Sequence, residues 1–388
     1  MHAVLRSTFP ISRPFSFPDA QQVSLPSVFA LIGLLFGTWA SRIPALQEGL
    51  QISHSALSLV LLCGGLGGML SHPIASRMMI RLGGKKTLFY AGLALCLVLP
   101  AIGLAPNVPL LMLAVLMLGV AGGSFGIGVN SVAARHEQAS GQSRMSMFHA
   151  CGCAGSLAGA VLGSIAAGME MKPSVHFVRI AIAIAVLLWL SYQYLEAPND
   201  GEAIEKKKFA LPGGPLAQLG ALAFCAAMSE NSVADWGGVF LKEHFGVTAG
   251  FAPLALSAFT VMMLCARLFG DSLKEKHGAG RLITVGAGIS ASGLLFAALA
   301  PNAYFALAGF ACSGMGLALV FPFLLSAAGK EGPLAIAGVA TMASMGGLMG
   351  PPVVGVIADC MGMQMTIGFI GALSVVISLL AMRSSLLK

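Results

Sequence analysis

Twelve stretches of mostly apolar residues, separated by short polar breaks, constrain this chain more than any single motif does. Their limits are 26–46, 54–79, 87–105, 108–133, 145–168, 174–195, 215–241, 249–270, 282–300, 303–328, 334–359 and 364–383. A helix needs about 20 such residues to cross the hydrocarbon core of a bilayer. Backbone polar groups in lipid must be satisfied within the segment, so runs of this kind fold as spanning helices. Composition agrees: 57% of the 388 residues are hydrophobic and 10% are charged, where soluble domains hold about 25% charged residues. The predicted fold class is all-α integral membrane, with twelve transmembrane helices and the lipid bilayer as first partner.

The net charge of +7 raises nucleic acid as a partner, but the basic residues form no patch interleaved with aromatics. They fall in short runs between the spans. With the N-terminus placed in the cytoplasm, 18 of the 22 Lys and Arg lie on the cytoplasmic side, which is the bias that sets membrane topology. Both termini are then inside. Residues 1–25 read as a cytoplasmic tail, because they lack the apolar run of a cleavable signal. The eight cysteines lie in or beside apolar spans, where free Cys behaves as a small hydrophobe. No disulfide framework, metal site or cofactor is expected.

The chain divides in the middle. The polar stretch 197–214, with Lys206 to Lys208, separates an N-terminal bundle at 26–196 from a C-terminal one at 215–383, leaving 384–388 as a cytoplasmic tail. A shift of 195 residues places the loop at Arg81 to Lys86 on that at Lys276 to Arg281, with Gly83 on Gly278. A shift of 197 places Trp39 on Trp236. Duplicated six-helix units with a site between them are one way secondary transporters are built. Two very short turns, at Pro106 to Pro109 and Pro301-Asn302, occupy matching places in the halves.

Within this pattern the seventh span stands out, because Ser229 to Trp236 places Glu230 and Asp235 in one hydrophobic run. An intramembrane carboxylate costs several kcal/mol unless it meets a partner or a water-filled cavity, and marks a functional site by default. Counted from Pro215 at the helical rise, Glu230 lies about 22 Å in and Asp235 about 30 Å in. That predicts Glu230 as the coupling group and Asp235 as part of an external gate. Asn231 shares a face with Asp235. Asn130 and His149 form a second polar cluster toward the cytoplasmic side. Arg42 follows Thr38 and Trp39 on one face of the first span. Asp359 and Arg267 read as solvated helix ends. Glycines at 152, 155, 159 and 163, and from 346 to 355, predict close packing between the halves. Gly122 to Gly126 spells G-x-S-x-G, but the nucleophile elbow needs a strand–turn–helix that a Gly-rich apolar helix does not provide. An intramembrane serine protease using Ser124 and His149 is the remote alternative.

Six plus six spans, a polar central loop, and Gly/basic loops after the second and eighth spans resemble the major facilitator superfamily. The family loop runs Gly, three residues, Asp, basic, any, Gly and two basic residues. Arg81, Gly83 and Lys85 match it, whereas Ile80 stands at the Asp position and Ser76 at the first Gly. In the second copy Glu275, Lys276 and Gly278 fit, with Gly270-Asp271 upstream. Trp39 to Pro44, Met147 to His149, and Ala234 to Trp236 resemble a bacterial inner-membrane group typified by YbjJ. The resemblance implies alternating access in a bacterial inner membrane, by a monomer. It puts the first and seventh helices against the substrate, and so implies that Arg42 pairs with Glu230 or Asp235 in one conformation. The Arg of the fourth span and the Gly-Pro of the fifth that mark many proton-driven drug exporters are absent. The expected function is secondary transport of a small molecule, as proton-coupled uptake of a polar or sugar-like metabolite; efflux of a metabolite or drug is the alternative. No P-loop occurs, and no enzyme activity is expected.

Overall fold

The computed structural model describes residues 20–140, 145–196, 214–331 and 333–387. The expected tail up to residue 19, and the linker at 197–213 with Lys206 to Lys208, lie outside them. Among the described residues the long elements are all α-helices: α1 (Ala20–Ser41), α2 (Ile43–Leu50), α3 (His54–Gly103), α4 (Val108–Ser140), α5 (Met145–Gly168), α6 (Pro173–Tyr194), α7 (Pro215–Phe245), α8 (Leu254–His277), α9 (Ala279–Ala298), α10 (Ala303–Leu317), α11 (Val320–Lys330) and α12 (Pro333–Arg383).

These helices make twelve crossings, though not one for one. Among the described residues eight stretches are long and apolar enough to span a membrane; two of them, within α3 and α12, are 50 and 46 residues long and cross twice. The charged α7 and the shorter apolar α8 supply the other two crossings. Each double-length helix turns at a glycine: Gly83 in α3 has φ 80° and ψ 171°, and Gly362 in α12 has φ 83° and ψ 167°. Gly278, between α8 and α9, has φ 75° and ψ 152°. Only glycine occupies this region of backbone space readily. The two loops brought together by the 195-residue shift therefore share a backbone conformation as well as a pattern. Lys85 lies 4.6 Å over the Tyr192 ring, while Arg81, Glu275 and Lys276 are exposed.

Two crossings expected to be continuous are broken, and proline explains both. Pro44 lacks the N–H that the Ala40 carbonyl would accept, and the first crossing breaks at Arg42 into α1 and α2. Pro322 likewise cannot donate to Ala318, and the tenth crossing breaks into α10 and α11 there. The freed Ala318 carbonyl accepts from Arg267 Nε at 3.1 Å.

In the first half α1 lies on α5 and α6, and α3 on α4 and α6; in the second, α7 lies on α12, and α9 on α10 and α12. Lipid gives apolar side chains no reason to leave it, so close fit holds such a bundle together. A Cβ on Gly155 would overlap the Ala30 carbonyl on α1, so this glycine stripe packs within its own half. That corrects the expectation of a seam between halves; across the seam, Gly355 on α12 meets Ser58 on α3. The main contacts between halves join α3 to α12 and α5 to α8. These are crossing two with eleven and five with eight, and a shift by six crossings exchanges the two pairs.

Candidate functional site

Two confluent chambers lie between the halves, one of about 420 Å³ and one of about 320 Å³. Phe36, Ser156, Asn231, Ala234 and Leu256 line both. The larger adds Trp39, Asp235 and Ser344 to mostly apolar walls. The smaller adds Asn130, His149, Cys153, Glu230, Thr260 and Arg267. Cavities of a few hundred Å³ with apolar walls and a few convergent polar groups are what small solutes bind in.

In the smaller chamber the charge is paired. Arg267 Nη2 lies 3.7 Å from Glu230 Oε1. The same guanidinium donates to the Cys153 sulfur at 2.8 Å across the seam and to Ala318 at the helix break. Arg267 is thus an internal cation and not the solvated helix end its place in the sequence suggests. A partly buried pair of this kind is favourable only if its remaining donors and acceptors are satisfied, and Arg267 meets this through the sulfur and the carbonyl. His149 packs edge-on to Phe29, ring centroids 5.3 Å apart. Asn130, which lines this chamber, donates from Nδ2 to the Gly126 carbonyl of its own helix at 2.8 Å.

In the larger chamber the charge is unpaired. Asp235 is half-buried and has no ion-pair partner among the described residues. An ionised carboxyl there is uncompensated until a proton or a cation reaches it. α7 has 31 residues, about 46 Å of helix, which is longer than a hydrocarbon core of about 30 Å, so depth counted from Pro215 does not fix where Asp235 stands; its side chain lines the larger chamber with Trp39 and Asn231.

In this conformation Arg42 pairs with neither acid. It is 3% exposed, and its Nη2 and Nη1 donate to the carbonyls of Met171 at 2.6 Å and Gly163 at 3.4 Å. The guanidinium ties the α1–α2 break to the end of α5, where the helix dipole favours a cation. Trp236 is wholly buried and lines neither chamber; its ring lies 6.0 Å from that of His54. Ser124 is buried inside the continuous helix α4, with no hydrogen-bond partner among the described residues, and so it does not stand on the strand–turn–helix of a nucleophile elbow.

At the face where α2 lies, polar contacts bridge the halves. Lys242 pairs with Glu48, and Gln47 Nε2 donates to Glu243 Oε1 at 3.2 Å. His54 lies between Glu243 and Asp359. Asp359 is therefore an interhelical partner and not merely a solvated end. Nothing in the spacing of His54 singles it out, since its partners are 189 and 305 residues away.

The model of the family described as Major Facilitator Superfamily matches residues 26–332 and again 219–386. An uncharacterised transporter, y4wD of Sinorhizobium fredii, is 30% identical over 91% of this chain and 95% of its own length. The membrane protein MosC of Rhizobium meliloti is 27% identical over 90% of this chain and 86% of its own. Among solved structures, a substituted form of the nucleoside transporter NupG superposes with a TM-score of 0.79 at 14% identity, over 94% of this chain and all of that one. A bacterial homologue of the lysosomal transporter Spinster gives 0.77 at 12% identity, over 94% of this chain and 96% of that chain. At these identities the two structures speak to the fold.

Proposed function

Since the chain belongs to the major facilitator superfamily and is a multi-pass membrane transporter, we propose that it carries out proton-coupled uptake of a small polar, sugar-like solute. It works by alternating access as a monomer in a bacterial inner membrane, both termini cytoplasmic. The observation that carries this reading is the division of charge between the two chambers: a Glu230–Arg267 pair beside amide and hydroxyl groups, and, about 1.4 turns farther along α7, an Asp235 with no ion-pair partner among the described residues.

In this reading Arg267 and Glu230 offer a donor and an acceptor to adjacent hydroxyls, with Asn130, Asn231, His149, Ser156 and Thr260 serving the remainder. Phe36 and Trp39 provide a flat apolar wall for the ring. Asp235 takes up the proton, because no cation among the described residues is within ion-pair distance of it. The coupling role expected of Glu230 moves to Asp235, since Glu230 already has Arg267 as its ion-pair partner. Efflux of a small metabolite is the second reading; the same chambers serve either direction.

The test is flux of a labelled metabolite panel into proteoliposomes, with and without a pH gradient. The solute transported should accumulate with the gradient. Asp235→Asn should lose accumulation yet keep exchange of labelled for unlabelled solute, because exchange needs no net proton movement. Glu230→Gln should raise the half-saturation concentration by at least tenfold, about 1.4 kcal/mol, within the range for losing a charged hydrogen-bond partner. Gradient-driven accumulation that survives in Asp235→Asn would remove Asp235 as the coupling group.

A further inference from the structure

The face carrying α2 holds a cluster of ionisable side chains that the chambers do not use. His54, the first residue of α3, stands between two carboxylates of the other half. Its Nδ1 is 2.8 Å from Asp359 Oδ1 on α12, and its Nε2 is 2.8 Å from Glu243 Oε2 on α7. Asp359 also accepts from the backbone N–H of His54 at 3.2 Å and of Ser55 at 3.0 Å, and from the Ser55 hydroxyl. A carboxylate of one half thus caps a helix of the other, where free N–H groups and the helix dipole both favour an anion.

The proton count of this bridge follows from its geometry. Ionised carboxylates only accept, and a neutral imidazole has a single N–H. For both short contacts to be hydrogen bonds, the bridge must hold one proton more than neutral His54 between two carboxylates. Proton transfer from the ring to a carboxyl leaves that total unchanged. A metal ion is no substitute, since the two carboxylates sit at opposite nitrogens of one ring, and the described residues contain no group of ligands able to hold one.

We propose that His54, Glu243 and Asp359 form a proton-binding latch: closing this face takes up one proton, and opening it releases one. Separating the halves removes both acceptors, so the second ring proton loses what holds it. The charged and titratable groups around the bridge have contacts of their own. Lys242 pairs with Glu48 on α2, Glu243 Oε1 accepts from Gln47, His244 stacks on Phe240 with centroids 5.2 Å apart, and α12 contributes Asp359. No further charged side chain among the described residues is within ion-pair distance of the imidazole. The three side chains are 21%, 38% and 30% exposed, and a cleft lined by Gln47, Glu48, Lys242 and Glu243 opens beside them. The latch therefore exchanges protons with the solution on its own face and not through the substrate chambers. Because closing binds a proton, acid on this face favours closure; raising the pH through the imidazole range, about pH 5 to 8, favours opening.

The experiment measures the distance between nitroxide labels at positions 106 and 301, exposed turn residues of opposite halves on this face. The protein is held in lipid nanodiscs without solute. In the otherwise unaltered chain the distance distribution should move toward longer values as the pH rises through that range. His54→Gln and, separately, Glu243→Gln should lose most of this shift. His54→Lys, charged throughout, should remain closed at every pH. A shift that persists in both Gln variants, or its absence in the unaltered protein, overturns the latch. No solute is present and none of these variants touches a chamber residue, so the result does not depend on the role of Asp235.

Discussion

At the scale of single residues, burying charge in a membrane made the sequence informative about place but not about partner. The cost of an intramembrane carboxylate singled out Glu230 and Asp235, and both lie on the chambers. Which cation meets which acid depends on helix contacts no spacing encodes: Glu230 faces Arg267 on α8, 37 positions along, and Arg42 faces backbone carbonyls. That difference is testable. Arg42→Met leaves the carbonyls of Gly163 and Met171 without their donors, which costs on the order of 2 kcal/mol. The variant should unfold at lower temperature in detergent. If it keeps the parental melting temperature and loses transport, Arg42 belongs to the pathway after all.

At the scale of elements, apolar length was enough to place the crossings, because lipid leaves the backbone no alternative to helix. The ends were less legible. α1 begins at Ala20 and α7 continues to Phe245, beyond the apolar runs, since a helix can continue into the headgroup region. The proline breaks at Arg42 and Ala318 could have been read from Pro44 and Pro322 by asking which carbonyl each proline orphans. The matched glycines provide a prediction of their own. Gly83 and Gly278 adopt φ of 80° and 75°, so Gly83→Ala and Gly278→Ala should each cost about 1–3 kcal/mol of strain, read as a lowered melting temperature. Gly368→Ala, where an added Cβ meets open space, should change little. Equal melting temperatures for all three would show that the loops relax without cost.

At the scale of the whole molecule, alternating access requires the face with α2 to open. Beyond the latch, Ser164 Oγ donates to the Gly250 carbonyl, and a Cβ on Gly250 would come within 2.8 Å of the Gly168 α carbon. A Gly168→Cys/Gly250→Cys pair should form a disulfide between the halves in the closed state. Oxidation is then expected to stop flux almost completely, and reductant to restore it. Flux that continues with the bridge formed would mean that this face need not open during transport. The twofold exchange of the two main seams was implicit in the repeat, but the polar bridging at this face was not.

The amino-acid sequence by itself determined the membrane class, the number of crossings and the duplication, because each rests on a one-dimensional quantity: apolar length, charge placement and the offset between like loops. It also marked the helix that carries the costly charge. Only the tertiary structure decided that Glu230 is paired and Asp235 is not, that Arg42 is a staple, and that His54 joins Glu243 and Asp359. Those outcomes depend on distances of a few ångströms between helices far apart in the chain, and ion pairs and hydrogen bonds lose their meaning beyond that range.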